Sequence, residues 1–377
     1  MCRMAEHAQT QDDTNGFSGT RSRARERFLA AVETAGGHST TLTNPRSRGP
    51  AGEAVTLETG WIGPPDARNV LMSISGTHGL EAFAGSAAQI GLARRLGDSP
   101  LPAGTAVLLV HGYNGHGWAH SSRANESNVD LNRNMIDFAA PRPQNALYDR
   151  AVHDLFAPRR LSGDVVGQMR DGIRELSARH GYDAVMDAIN RGQYTRADGV
   201  YHGGSQLEWS SATLLSLISR QLAGARCVAC IDWHTGMGSF GEPFFICFHD
   251  PRHAKFQDAA RFWGRERLLD ESGYADAPRP SYQGLVINAV ERAIEAQGAR
   301  MIGAVVEFGT YEPDRVEAGI MIDRALRFGG ASLPESRAAA LREAMQETFN
   351  PDSRRWRESV AAHSRAIFDS TLEGLAE

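Results

Sequence analysis

The stretch Asn69-Val70-Leu71-Met72-Ser73-Ile74-Ser75 decides how this chain folds. It is an apolar run too short for an ordinary helix, and Gly76 closes it, so it reads as a buried strand. From Leu80 to Leu96 the apolar residues recur at three- and four-residue intervals, the spacing of a helix. Ala106–Val110 (AVLLV) is a second buried strand, ending at His111-Gly112. Strand, helix and strand at this spacing make a βαβ unit. That unit calls for a mainly parallel sheet with helices on its faces.

Working outward, Ala24–Thr34 reads as a helix and the region around Glu53–Gly60 as a strand, closed by Pro64-Pro65. Gln144–Phe156, Gly167–Asn190 and Ser211–Ala223 are helical by pattern. Cys227–Trp233 is a third buried strand, Phe244–Phe248 a fourth and Ile302–Phe308 a fifth. From Leu333 two amphipathic helices follow, split at Asn350-Pro351. No repeat, low-complexity tract or linker divides the chain. The expected architecture is α/β: a single domain with a mixed, mostly parallel central sheet flanked by helices. Residues 1–25 are expected to be a disordered tail, 26–330 the main domain with a helical insertion at about 139–201, and 331–377 helices packed on it.

The chain has 377 residues, 41% hydrophobic and 23% charged, the profile of a soluble globular protein. Its formal net charge of −5 comes from acidic and basic residues mixed along the chain, leaving no basic face for a phosphate backbone. Nucleic acid is therefore not an expected partner. No stretch approaches the roughly 20 apolar residues of a membrane span, and the polar N-terminus lacks a secretory signal. A cytoplasmic location follows by default. Cys227 and Cys230 form a C-x-x-C within a buried strand, where residues three apart point to opposite faces and cannot share a metal. They read as small buried hydrophobes.

Open α/β sheets bind ligands at the carboxyl ends of their strands. Three strands here end in metal-capable or acidic groups: Ser75-Gly76-Thr77-His78, Asp232-Trp233-His234 and Val306-Glu307-Phe308. His78-Gly79-Leu80-Glu81 sets an imidazole and a carboxylate three residues apart, on one face of a helical turn. Alone, such a pair is as well explained by a surface His and Glu at a helix start. Its position after a buried strand favours metal binding, with His234 as third ligand. Asp232 shares a face with His234 and can fix its tautomer. Two His and one Glu form a catalytic zinc set with an open position. Between the strands, Arg123-Ala124-Asn125-Glu126-Ser127-Asn128-Val129-Asp130-Leu131-Asn132-Arg133-Asn134 is a polar loop with two arginines, the side chain suited to gripping a carboxylate.

Taken together, H-x-x-E, R-x-N-E-x-x-V-D-L-N-R-N, the later D-W-H-T-G and a strand-end Glu resemble the M14 metallocarboxypeptidase family, in family order over about residues 69–311. The Ser75–Gly79 segment and the Tyr201-His202-Gly203-Gly204 loop resemble its DUF2817 branch, near the succinylglutamate desuccinylase/aspartoacylase group. The resemblance implies a zinc carboxypeptidase-like (phosphorylase/hydrolase-like) fold and one zinc ion per chain on His78, Glu81 and His234. It makes Asp130 the partner of His78, and Arg123 the group that polarises the scissile carbonyl. Asn132 and Arg133 would hold a substrate carboxylate, with Glu307 as general base and then acid. A substrate-facing Tyr is expected late in the chain, with Tyr282 and Tyr311 both candidates. Tyr201 and His202 either line the pocket or form a plain turn.

The implied function is zinc-dependent hydrolysis of an amide next to a free carboxylate, in a peptide or N-acyl amino acid. The alternatives are a deacylase of small N-acyl amino acids on the same site, a catalytically inactive metal- or peptide-binding protein, and a metal-free α/β-hydrolase suggested by Val107–Gly112 (VLLVHG). That last reading requires a G-x-S-x-G elbow, which the chain lacks.

Overall fold

The central strands alternate between two buried faces. Leu71, Val107, Leu109, Ala229, Ile231, Ile302 and Ala304 pack into one hydrophobic cluster, and Val70, Met72, Leu108, Val110, Val228 and Met301 into another. With both faces covered, these strands read as continuous apolar runs, which is why they stand out in the sequence. The computed structural model describes residues 16–156, 164–269, 280–329 and 333–377. Its strands are β1 (His38–Arg48), β2 (Ala54–Ile62), β3 (Asn69–Ser75), β4 (Thr105–His111), β5 (Cys227–Phe240), β6 (Pro243–Ile246), β7 (Leu268–Leu269) and β8 (Arg300–Gly309). They form one 8-stranded sheet in the order β1-β2-β4-β3-β5-β8-β6-β7. The four central strands run parallel, β1 and β2 pair antiparallel at one edge, and β6 runs antiparallel to β8 near the other.

The described helices of nine or more residues are α1 (Arg21–Thr34), α2 (Ala82–Asp98), α3 (Val165–His180), α4 (Tyr182–Asn190), α5 (Trp209–Gln221), α6 (Ala254–Trp263), α7 (Val286–Glu295), α8 (Pro313–Gly329), α9 (Glu335–Phe349) and α10 (Arg354–Ala376). Helices α2, α6 and α10 cover the first face, and α5 and α7 the second. The mixed, mostly parallel sheet flanked by helices is the architecture expected. In the insertion, Gly181 (φ +85°) breaks the single helical stretch foreseen over Gly167–Asn190 into α3 and α4. Their apolar faces pack with Met321 of α8 and Leu341 and Phe349 of α9, forming a third cluster.

Three expectations need correction. The N-terminal tail does not extend to Arg25. Thr20 caps α1 by accepting from the backbone N–H of Arg23, Phe17 is buried against Trp356, and Arg27 donates to Ser18 Oγ at 3.0 Å. The part of that tail before Gly16 lies outside the described residues. Strand β1 was not foreseen, because a mostly exposed, Thr-rich edge strand carries no apolar alternation. Strand β5 runs seven residues past Trp233, to Phe240. Its Gly236 and Gly238 argue against a strand by propensity, but pairing with β8 continues through Gly236 and resumes at Phe240 after a register shift.

The C-x-x-C is divided as its spacing requires. Cys227 packs against the first cluster, Cys230 lies in the second, and both are free thiols.

Candidate active site

Glycines shape the turn that carries the first site residues. Gly76 (φ +77°) lets the chain leave β3 sharply, and a Cβ on Gly79 would stand 2.0 Å from the Gly117 carbonyl carbon. His78, N-terminal to a 3₁₀ turn over Gly79–Glu81, then shares its side with Glu81. On β5, Asp232 and His234 fall on the face of Val228 and Cys230, and on β8 Glu307 falls on the face of Val305. His234 and Glu307 are register partners across the two strands.

All three zinc candidates are buried, and their ligand atoms lie within 4.8 Å of one another. His78 Nδ1 is 2.9 Å from Glu81 Oε1, His234 Nδ1 is 3.1 Å from Glu81 Oε2, and the two Nδ1 atoms are 3.1 Å apart. The far nitrogens face carboxylates. His78 Nε2 is 3.3 Å from Asp130 Oδ1, and His234 Nε2 is 3.0 Å from Asp232 Oδ2. Thr77 Oγ1 donates to Asp232 Oδ1 at 2.7 Å, and the Thr235 N–H donates to Glu81 Oε2 at 3.1 Å. Burial would raise the Glu81 pKa, but the two imidazoles hold it below the usual carboxylate range. Burial would lower the His234 pKa, but Asp232 and then Glu81 push it well above.

Two imidazole nitrogens directed at each other and at one carboxylate are poorly matched to water or protein. They suit a divalent cation. With Nδ1 atoms turned inward and Nε2 atoms backed by Asp130 and Asp232, the donor set is of a kind that could hold a zinc ion.

Arg123 Nε donates to Asp130 Oδ2 at 2.9 Å, and its Nη1 is 3.5 Å from Glu81 Oε1. Asp323 fixes its backbone, accepting from Arg123 N–H at 2.7 Å. Asn132 lines the cavity, and its Oδ1 accepts from the Val286 N–H at 2.9 Å. Arg133 donates to the carbonyls of Asn132 and Asn190 through three of its five N–H groups, and the other two have no hydrogen-bond partner among the described residues. Its guanidinium lies 5.0 Å from the Tyr282 ring centre and 5.5 Å from that of Tyr201; Arg123 is 4.8 Å from the same Tyr201 ring. Tyr201 has φ +52°, an uncommon conformation for a non-glycine residue, and lines the cavity. Glu307 is 9% exposed; burial, with Glu81 adding to it against His234 and Arg123, pushes its pKa up to about 7.

A family model described as "Protein of unknown function (DUF2817)" matches residues 17–363. The chain belongs to the DUF2817 family. No curated protein matches it. Among solved structures, this DUF2817 protein is similar to the succinylglutamate desuccinylase of Chromobacterium violaceum, at 17% identity over 86% of this chain and 77% of that one, with a TM-score of 0.36. It is also similar to carboxypeptidase A of Helicoverpa armigera, at 11% identity over 96% and 81%, TM-score 0.46. A metallo-carboxypeptidase of Pseudomonas aeruginosa is similar at 14% identity over 92% and 69%, TM-score 0.39. None of these likenesses is close enough to bring an activity with it, and the chemistry rests on the side chains.

Of the residues singled out in this DUF2817 chain, His78, Glu81, His234, Glu307, Arg123, Asn132, Arg133 and Tyr282 line one cavity, and Asp130 and Asp232 stand directly behind the histidines. Tyr311 does not join them. Its hydroxyl is hydrogen-bonded to Glu347, and its ring is covered by Arg315 at 3.5 Å. His111 of the His-Gly turn is fully buried beneath Phe28 and Trp118, and is not among the cavity-lining groups. Three groups were missed. Thr77 was visible beside His78 but carries no metal chemistry itself. Asp323 and Glu317 lie on α8, whose closure over the site is a tertiary event without a local motif. No described helix is long and apolar enough to cross a membrane.

Proposed function

We propose that this protein is a zinc-dependent hydrolase that cleaves an amide bond next to a free carboxylate, in a peptide or an N-acyl amino acid. The observation that carries the reading is the convergence of His78 Nδ1, His234 Nδ1 and Glu81 on one point, with Glu307 beside His234 on the neighbouring strand. His78, Glu81 and His234 would hold a zinc ion, which would supply Lewis acidity for activating water and polarising a carbonyl oxygen.

Glu307 takes the proton from the attacking water and returns it to the leaving amine, and its pKa near 7 suits both halves of that transfer at neutral pH. Arg123, held by Asp130 and Asp323, faces the negative charge that develops on the carbonyl oxygen; one such donor is worth roughly 3 kcal/mol. The Asn132 amide N–H₂ and the two uncommitted N–H groups of Arg133 grip the substrate carboxylate. Tyr201 and Tyr282 flank that grip through their rings.

The deciding test is zinc content by elemental analysis of the purified protein beside His234→Ala. About one zinc per chain in the wild type, lost in the variant, is the expected result and leads directly to a screen of peptides and N-acyl amino acids. No zinc in either protein after zinc is supplied would overturn the reading.

A further inference from the structure

One buried charge in the cavity has no task in the reaction above. Glu317 on α8 lines the cavity, is 8% exposed, and has a single hydrogen-bond partner among the described residues, the Tyr201 hydroxyl at 3.4 Å. Burial is the main cause that pushes its pKa up to about 7, with Arg123 opposing from beyond ion-pair distance. A carboxylate desolvated without a cation beside it costs stability, and a bound cation would offset that cost.

The cavity has two walls built from different parts of the core. Leu285, Ile246, Val305, Phe248 and Tyr282 belong to the cluster under α5 and α7. Asn132 is tied to that wall through the Val286 N–H, so the carboxylate-bearing half of the substrate lies against it. Val316, Ile320, Phe349 and Tyr201 form the other wall, in the cluster shared by α8, α9 and the insertion. Glu317 is on this second wall, which is left for the acyl half of the amide.

We infer that Glu317 is the binding site for a primary ammonium group on the acyl half of the substrate. The inference rests on the hydrolase reading. It narrows the substrate class to amides joining an amino-acyl group to a residue with a free carboxylate. Water adds across the amide, so an amino acid leaves from each half. The ammonium neutralises Glu317, whose other oxygen contact is the Tyr201 hydroxyl. The strained backbone of Tyr201 holds that hydroxyl toward Glu317 while its ring meets Arg123 and Arg133.

The test uses the zinc-loaded full chain and three pairs of N-acyl-L-leucines with the leucine carboxylate free, each pair differing only in an ammonium replaced by a methyl group. The pairs are glycyl and propanoyl, β-alanyl and butanoyl, and 4-aminobutanoyl and pentanoyl. Leucine suits the apolar first wall. Hydrolysis (kcat/KM) and equilibrium binding by calorimetry are both measured, for the wild type and for Glu317→Gln. The expected result is at least one pair in which the ammonium member is preferred about tenfold or more, with that ratio falling toward one in the variant. Hydrolysis with ratios near one in every pair would overturn the assignment and leave the proposed reaction standing. Binding with the ratio present but no hydrolysis would do the reverse. A ratio that persists in Glu317→Gln, or no binding of any member, would also overturn it.

Discussion

His234 and Glu307 are register partners on adjacent parallel strands, so a metal-ligand candidate and the proposed general base are held side by side by main-chain hydrogen bonding rather than by loops. A strand pair is rigid on the scale that catalysis requires, because its spacing is fixed by the sheet itself. Glu307 is outside the set of three groups that can share an ion. Glu307→Gln is therefore expected to keep its zinc while kcat falls by about 10²- to 10⁴-fold, the range for loss of a general base. Elemental analysis and turnover on the same preparation check it. Full activity with zinc retained would remove Glu307 from the mechanism.

Asp232 backs His234 and is itself held by Thr77. Asp232→Asn is expected to weaken zinc binding by about 10- to 100-fold, because the imidazole loses the partner that sets its tautomer and basicity. Competition with a chelator of known affinity measures it. Thr77→Val should produce a smaller change in the same direction.

Glu317 gives a stability effect with a defined sign. Its folded pKa of about 7 lies above the ordinary glutamate value of 4.5. The folded protein thus holds the proton more tightly, and this contribution is complete below pH 4.5 and lost as pH rises through 7. Glutamine imitates the protonated form. Glu317→Gln should raise the melting temperature of the metal-stripped protein at pH 8, by at most about 3 kcal/mol of stability, and the gain should shrink toward zero near pH 4.5. A gain independent of pH would show that the carboxyl is not desolvated as described.

Gly79 and Gly91 make a matched pair. A Cβ on Gly79 would meet the Gly117 backbone at 2.0 Å, whereas one on Gly91, within α2, meets nothing within 4 Å. Gly79→Ala should lower the melting temperature and loosen zinc, since His78 and Glu81 flank the displaced segment. Gly91→Ala should stabilise by about 0.5–1 kcal/mol through helix propensity alone. Thermal unfolding of both variants, with and without zinc, separates the two effects.

The legible parts of the fold were those with a strong local signal. Val70–Ile74 and Ala106–Val110 stand out because both faces of the sheet are buried, and His78, Glu81 and His234 because strand ends and short spacings hold them. Strand β1 was hidden by its exposure, and the outer part of β5 by glycines that only pairing with β8 makes acceptable. Tyr282 and Tyr311 could not be told apart in sequence, since what separates them is whether α9 supplies Glu347 as a partner. Glu317 is one of 45 acidic residues, and nothing local marks it. Only the packing of α8 against Tyr201 brings it to the cavity.

The Asn69 side chain at the start of β3 donates to the carbonyl of Leu375 at 2.7 Å, across a separation of 306 residues. The first parallel strand to be synthesised is thus clasped by nearly the last turn of the chain. Helices α2 and α6 cover part of the face carrying Leu71 and Ile231, α10 completes the cover, and contacts at so long a sequence separation form slowly. Removing α10 would therefore uncover the apolar surface around Trp233, against which Phe368 packs edge-on.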